Sequence, residues 1–293
     1  MGAHGKRSGM TTSLGAVGDL VEDVVVQLLE AVHVASDTQS IVTRRRGGSA
    51  ANLVEAACRA GGRARFIGQV GDDPTGRWLT EQLEAVGAEV VVRWRGRTGT
   101  IVVLVDPSGE RTMLADRASC TELDDPDPSW LAGLHTLHIP YYSLVGEPLA
   151  TTAATLATWA NEQGIRVSVD ASSAALLEHD GPRQALGRIA ALGPQVVLAN
   201  ELEAEVLGAG LHPDHLGGAT VVVKRGSAAA AVWCSGRDAV EVPARQLDGV
   251  RDTTGAGDAF AAGLLLALAD GDDVVTAVRR GHTVAADTLL RSR

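Results

Sequence analysis

The stretch "DTTGAGDAFAAG", residues 252–263, sets three glycines, two aspartates and two threonines at the opening of an apolar run that continues to Ala269. Small residues ahead of a helix-length apolar segment predict a turn whose backbone amides, those of Gly255, Ala256 and Gly257, converge at a helix N-terminus. Such a concavity binds anions. Unpaired amides and the helix dipole favour negative charge there, and no bulky side chain keeps a phosphate from the backbone. Asp258 then falls in the first helical turn, at the edge of the same hole. A carboxylate in that position has two readings. It offsets the dipole by roughly 0.3–1 kcal/mol, or it takes a proton from a substrate hydroxyl that attacks a phosphoryl group held by the amides. With an ordinary pKa of about 4 an aspartate is charged at neutral pH, as a base must be. The turn is not a P-loop, because no G-x-x-x-x-G-K-[ST] occurs in the chain.

Working outward, the 293 residues allow two domains or one large α/β sheet at roughly 150 residues per domain. Apolar residues make up 45% and charged ones 21%, which excludes a generally disordered chain or a membrane protein. No apolar run reaches the ~20 residues that span a bilayer, and no signal segment opens the chain, so a cytoplasmic protein is expected. Cys58, Cys120 and Cys234 are scattered, as suits a reducing compartment rather than a disulfide framework or zinc site. A formal net charge of −10 argues against nucleic acid as a partner. The local run "RRR" at Arg44 to Arg46 reads as a solvated strand end. Residues 1–12, glycine-rich and without hydrophobic period, read as a disordered leader, leaving 13–293 as the folded unit.

Short β-branched runs alternate with helical segments, the pattern of a mainly parallel central sheet with helices on both faces. Buried strands are expected at 65–71, 136–140, 166–170, 195–200 and 220–226. Helices are expected at 50–60, 76–85, 148–163, 183–190 and 201–207. Ligands in such sheets bind beyond the strands' carboxyl ends, where Asp170, Asn200 and Gly226 fall. Two segments break the rhythm, at about 23–46 and 90–116. Their alternation, with "DPSG" (106–109) as a hairpin turn, predicts antiparallel strands outside the main sheet, forming a small β-sheet lid.

At this point the sequence resembles the ribokinase-like, or pfkB-family, carbohydrate kinases. Residues 252–265, "DTTGAGDAFAAGLL", are similar to that family's C-terminal signature. Far upstream, "GGSAANLVEAACRAGGRARFIGQVGDDPTG" (47–76) resembles its N-terminal Gly-Gly and Asn motif and the G-x-V-G-x-D-x-x-G segment that follows. The resemblance implies an α/β ribokinase-like fold and ATP-dependent phosphorylation of a hydroxyl on a small sugar or sugar acid. By the same resemblance Asp258 is the catalytic base and the amides of Gly255, Ala256 and Gly257 are the anion hole. Asp23, Gly48 and Asn52 hold sugar hydroxyls, although Gly48 and Asn52 also read as a turn and a helix cap. Asn200, Lys224, Gly226 and Thr253 lie along the ATP site. Glu203, in "NELE", organises Mg²⁺ through water, while Asn200 reads equally as a helix-capping residue. A lid that excludes water protects ATP from hydrolysis, and in relatives it also offers a homodimer contact.

Departures from the family pattern matter for substrate and cation. No second glycine follows Gly226, where "SAAAAV" stands instead, and Val21 replaces a polar residue that touches the sugar in ribokinases proper. The ending "TLLRSR" stops short of a loop that supplies monovalent-cation ligands, which argues against K⁺ activation despite Asp252. Arg117, after the second lid segment, reads either as a solvated arginine or as the partner of a sugar carboxylate. Tyr141 and Tyr142 read as packing residues with a satisfied hydroxyl or as a stacking platform. His135 and His138 have no third metal ligand in view. Two alternatives remain beside the sugar kinase. A nucleoside kinase of the same superfamily differs in accepting a base beside the ribose. A non-catalytic sensor is expected to have lost the base or the anion hole, and both are intact.

Overall fold

A computed structural model describes residues 13–247, 249 and 253–291. The expected leader, 1–12, and Asp252 lie outside the described residues. The chain opens with β1 (Ser13–Val17), β2 (Val21–Leu28), β3 (Ser40–Gly47), α1 (Ser49–Arg59), β4 (Arg63–Val70), α2 (Pro74–Ala85) and β5 (Glu89–Trp94). It continues through β6 (Thr100–Val105), β7 (Arg111–Asp116), β8 (Thr136–Pro140), α3 (Leu149–Glu162), β9 (Arg166–Asp170), α4 (Ala174–Asp180) and α5 (Pro182–Ala191). The last third holds β10 (Val196–Asn200), α6 (Glu201–Leu207), β11 (Thr220–Lys224), β12 (Ala230–Trp233), β13 (Val240–Val242), α7 (Ala256–Asp270) and α8 (Val274–Arg291).

Nine strands form the large sheet in the order β13-β12-β11-β10-β9-β8-β1-β4-β5. From β5 to β11 every neighbouring pair is parallel, and only β12 and β13 run antiparallel at one edge. Buried on both faces, the central strands read as continuous Val, Leu and Ala, as parallel strands must. One apolar layer packs α1, α2, α7 and α8 on one face, and a second packs α3, α4 and α5 on the other. The order in which strands are added reverses at β1, which neighbours β4 on one side and β8 on the other. A crevice at the carboxyl ends beside such a switch point is where an open α/β sheet binds its ligands.

The smaller sheet has the order β3-β2-β6-β7. Here two expectations need correction. The lid segment at 90–116 is not a unit, because β5 joins the large sheet in parallel register with β4, from Arg65 opposite Glu89 to Val70 opposite Trp94. Alternation along β5 announces a strand but not its partner. The α2 crossover returns the chain parallel to β4, so the pairing follows from the connection. The smaller sheet is also mixed rather than antiparallel, since β2 pairs with β6 in parallel. The β6–β7 hairpin does form at "DPSG", where Asp106 accepts from the Ser108 and Glu110 amides.

Two glycines set the helix starts that matter. Gly48 precedes α1 with φ 102°, and a Cβ there would lie 2.1 Å from the Asp19 carbonyl oxygen. Gly255 precedes α7 in the left-handed conformation, φ 75°, turning the chain sharply into the helix. From Ala259 to Ala267 α7 is buried all round, because the sheet, α1 and α8 enclose it. Gly263 and Gly281 allow that closeness, each meeting the backbone of the opposite helix. No helix among the described residues is long and apolar enough to cross a membrane.

Candidate active site

Parallel strands deliver their last residues to one edge of the sheet, and the chemistry-bearing side chains collect there. Asn200 ends β10 directly beside Lys224 at the end of β11, and Asp170 ends the neighbouring β9. The Lys224 ammonium donates to Asp170 Oδ2 at 2.5 Å, and both side chains are largely buried. Asp170 raises the Lys224 pKa against the opposing pull of burial, so the lysine stays charged. Gly257 lies close by, since a Cβ there would stand 3.4 Å from Lys224 Nζ. The start of α7 thus faces a cation; of the three amides expected in the anion hole, that of Ala256 instead donates to the Thr253 carbonyl at 3.1 Å, closing the turn.

Asp258, in the first turn of α7, is partly accessible from a cavity and otherwise enclosed by protein. Its Oδ1 accepts from Ser49 Oγ at 2.5 Å and its Oδ2 from Asn52 Nδ2 at 3.0 Å. Both donors stand in the first turn of α1, which the Gly47–Gly48 turn aims at α7. Burial raises the Asp258 pKa to about 6, a rise that those two hydrogen bonds and Lys224 only partly offset. The carboxylate is therefore ionised at neutral pH, though less stable as an anion than an exposed one.

Two hollows meet at this carboxylate. The larger, about 700 Å³, is walled by Asp170, Asn200, Glu203, Lys224, Gly226, Thr253 and the Gly255–Asp258 turn, with Phe260, His282 and Leu289 as an apolar end. The smaller, about 500 Å³, is walled by Asp23, Arg45, Arg46, Asn52, Glu55 and Thr254. Gly255 belongs to both walls, and Asn52, in the smaller one, holds Asp258 in the larger. Arg111 of β7 reaches across to donate to Thr254 Oγ1 at 2.6 Å, so the small sheet already touches the α7 turn.

Asn200 and Glu203 do what a capping box does. Asn200 Oδ1 accepts from the Glu203 amide, while the Glu203 carboxylate accepts from the Asn200 amide and side chain, each at 2.7 Å. The helix-cap reading of Asn200 is therefore present in the structure, at a residue that also lines the larger cavity. Glu203 is buried, and burial with the nearby Asp170 charge pushes its pKa up to about 7. Three carboxylates, Asp170, Glu203 and Asp258, thus share one lysine. Mg²⁺ keeps most of its waters and takes one or two carboxylates. A buried excess of negative charge around a single cation is a donor set that suits it, although no group of three or more metal-ligating side chains occurs among the described residues.

Other predicted residues come out differently. Asp23, on β2, faces Gly47 and pairs with Arg45, Nε to Oδ2 at 3.6 Å; burial raises its pKa. Arg117 corrects both readings made for it: it is neither solvated nor waiting for a substrate carboxylate. Its guanidinium makes a bidentate pair with Asp19, at 2.6 and 2.8 Å, and lies over the Tyr142 ring. Nothing near Asp19 in sequence announces that partner, 98 positions away. "RRR" is also not simply a solvated strand end. Arg46 is buried, donates to Asn52 Oδ1 at 3.1 Å and pairs with Glu55. Tyr141 is a packing residue whose hydroxyl donates to Asp180. His138 is a neutral core histidine, its pKa lowered to about 4 by burial. Ser49 is not among the residues that sequence singles out; its position beside the Gly-Gly turn is the only local signal for it. Val21 is buried and offers no polar atom to a ligand.

A nine-stranded α/β sheet with a small sheet over its carboxyl edge, and a carboxylate at a glycine-led helix start, is the architecture of the ribokinase-like kinases. The model of that name, "pfkB family carbohydrate kinase", matches residues 12–292. Among curated proteins, a fructokinase from Klebsiella pneumoniae is 33% identical over 264 residues, covering 84% of this chain and 82% of its own. An ATP-dependent ribose-1-phosphate kinase from Halopiger xanaduensis is 32% identical over 268 residues, covering 88% and 85%. Among solved structures, an adenosine kinase from Sinorhizobium meliloti shares the fold with a TM-score of 0.80 at 23% identity, covering 95% and 93%. The chain belongs to the pfkB family of carbohydrate kinases and is an ATP-dependent carbohydrate kinase.

Proposed function

We propose that the enzyme transfers the γ-phosphoryl group of ATP to a hydroxyl of a small neutral sugar, with Asp258 as general base. One observation carries this reading: a half-buried carboxylate, fixed by Ser49 and Asn52, stands where two hollows meet at the start of α7. In this mechanism ATP occupies the larger hollow, against Asn200, Lys224, Gly226 and Thr253, and the sugar the smaller, against Asp23, Gly48 and Asn52. The sugar hydroxyl gives its proton to Asp258 as its oxygen bonds to the γ-phosphorus. The bond from that phosphorus to the β–γ bridging oxygen breaks, and ADP leaves. The amides of Gly255 and Gly257, with Lys224, stabilise charge on the transferring group, and the Ala256 amide joins them if the Thr253 carbonyl releases it. Glu203 and Asp170 would hold Mg²⁺ through its waters, and the ion would supply charge neutralisation at the phosphates. The strands around Arg111 close over the sugar and keep water out.

A neutral sugar is favoured over a sugar acid because Asp19 already occupies Arg117, the residue expected to meet a carboxylate. The fructokinases among the relatives make fructose the first compound to try. Adenosine kinases among the structural neighbours keep a nucleoside as the second reading. The test is ADP release with Mg²⁺-ATP across ketoses, aldoses, sugar acids and nucleosides, for native protein and Asp258→Asn. One neutral sugar is expected to stimulate turnover, with a loss of at least ~10² in the variant. Stimulation by nucleosides or sugar acids alone would overturn the substrate reading, and full activity in Asp258→Asn would overturn the base.

A further inference from the structure

The amino ends of the parallel strands, on the opposite edge of the sheet from Asp258, enclose a separate hollow of about 350 Å³. Its floor comes from three neighbouring strands: His135 just before β8, Arg166 opening β9, and Gln195 just before β10. These are tied together by backbone bonds from Arg166 to His135 at 3.1 Å and from Gln195 to Val167 at 2.9 Å. Asn161, at the end of α3, and Leu268 and Ala269, in the last turn of α7, complete the wall.

Arg166 is the residue that has no account in the fold. Its side chain is half-buried, and burial alone lowers its pKa, with no charge or hydrogen-bond partner acting on it. Among the described residues its guanidinium makes no hydrogen bond and no ion pair, whereas Arg46, Arg65, Arg117 and Arg188 are each held by carboxylates or carbonyls. The guanidinium is thus held by no protein group and stays reachable through the hollow, and its planar fork matches a phosphate or carboxylate in two-point contact.

The neighbours strengthen the case by what they have used up. His135 Nδ1 accepts from the Ser13 amide at 3.2 Å, so a neutral ring carries its N–H on Nε2. Gln195 spends its oxygen on the Val167 amide at 2.7 Å, and Asn161 spends its own on the Gln195 amide group at 3.1 Å. The side-chain acceptors are therefore engaged within the fold, and no carboxylate lines the hollow. Gln195 has also spent both amide hydrogens, on Asn161 Oδ1 and the Gly193 carbonyl, and Asn161 one, on the Leu192 carbonyl; in a chain of net charge −10 the hollow therefore offers chiefly the Arg166 guanidinium and the His135 Nε2–H. We propose that it is a binding site for a small phosphate-bearing anion, distinct from the site at Asp258. Helix α7 joins the two places, carrying the base in its first turn and one wall of this hollow in its last.

The test is calorimetric titration of the full-length protein, with ADP present, using inorganic phosphate, glycerol 3-phosphate and, at matched ionic strength, acetate. Native protein, Arg166→Gln and Asn161→Asp are compared; all three have the same nucleotide and sugar sites, so a difference isolates this hollow. The native protein is expected to show one saturable phosphate event that Arg166→Gln lacks. Asn161→Asp gives up the hydrogen bond from Asn161 Nδ2 to the Leu192 carbonyl, so a thermal melt first checks that it folds; its carboxylate beside Arg166 repels an anion and is expected to weaken the event by about tenfold or more. Turnover in phosphate-free buffer is expected to be unchanged in both variants. Tighter uptake of the monoester identifies a phosphorylated metabolite as occupant, and tighter uptake of the free ion identifies phosphate itself. Equal phosphate uptake by all three proteins, or acetate binding as tightly as phosphate, would overturn the proposal. Kinase activity has no bearing on either result, so the two readings fail separately.

Discussion

Asp258 shows how one residue sets stability against reactivity. Its folded pKa of about 6 lies above the ordinary 3.8, so the fold prefers the protonated acid. The resulting cost is absent below pH 3.8, grows between the two values and is full above pH 6. Asn, an uncharged mimic of the acid, is therefore expected to raise the melting temperature at pH 8, by a stabilisation on the order of 1–3 kcal/mol, while removing the base. A thermal melt at pH 8 checks the sign: a variant that melts lower contradicts it. In the native enzyme only the ionised carboxylate accepts a proton, so kcat/KM is expected to fall as pH drops through about 6. A pH–rate profile flat down to pH 5 would contradict that. Glycines divide by the same residue-level reasoning. Gly48→Ala drives a methyl group onto the Asp19 carbonyl, whereas Gly255→Ala meets only Asn52 Nδ2, at an ordinary 4.0 Å, and costs the left-handed backbone, roughly 1–2 kcal/mol. Denaturant melts are expected to rank Gly48→Ala well below Gly255→Ala.

At the scale of elements, the site is a junction of helix starts and strand ends. α1 supplies Ser49 and Asn52, α7 supplies Asp258, and β9 and β11 supply Asp170 and Lys224. Lys224 is the cation that lets three carboxylates gather there. Lys224→Met keeps the bulk of the stem but leaves Asp170 buried without its partner, a loss of about 3–5 kcal/mol for a broken buried pair. We expect a large drop in melting temperature that added Mg²⁺-ATP partly restores, and a raised KM for ATP. A variant as stable as the native protein would show that the pair is not what balances Asp170. Most of these elements were legible from periodicity alone. Helix α6 was expected at 201–207 and is found there, and strands at 136–140 and 166–170 likewise. Alternation places β5 with the lid because it reports a strand and is silent about which sheet receives it.

For the whole molecule, the question is how two sheets cooperate. The small sheet keeps apolar side chains in the open, Ile41, Val42, Met113 and Leu114 among them, on both of its faces. One face of such a sheet suits closure over a sugar. Closure is expected to slow tryptic cleavage at Arg44 and Arg45 when sugar and a non-hydrolysable ATP analogue are both present, and not with either alone. Equal cleavage rates under all conditions would show that the sheet does not close. The Arg111–Thr254 hydrogen bond gives that motion a hinge-side contact to the α7 turn.

By itself the sequence determined the class of fold, because hydrophobic period distinguishes buried parallel strands from amphipathic helices. It also determined the glycine-led turn with its acid, since both needs are local: small residues for a close backbone, and a charge at a helix start. What only the tertiary structure decided are the pairings between residues remote in the chain. Asp19 takes Arg117, Arg46 turns inward to Asn52 and Glu55, Ser49 joins Asp258, and Arg166 is left facing a hollow without a partner. The physical reason is common to all four. A charged or polar side chain is read locally as solvated, and only the packing of distant elements shows whether water, another side chain or a ligand completes its hydrogen bonds.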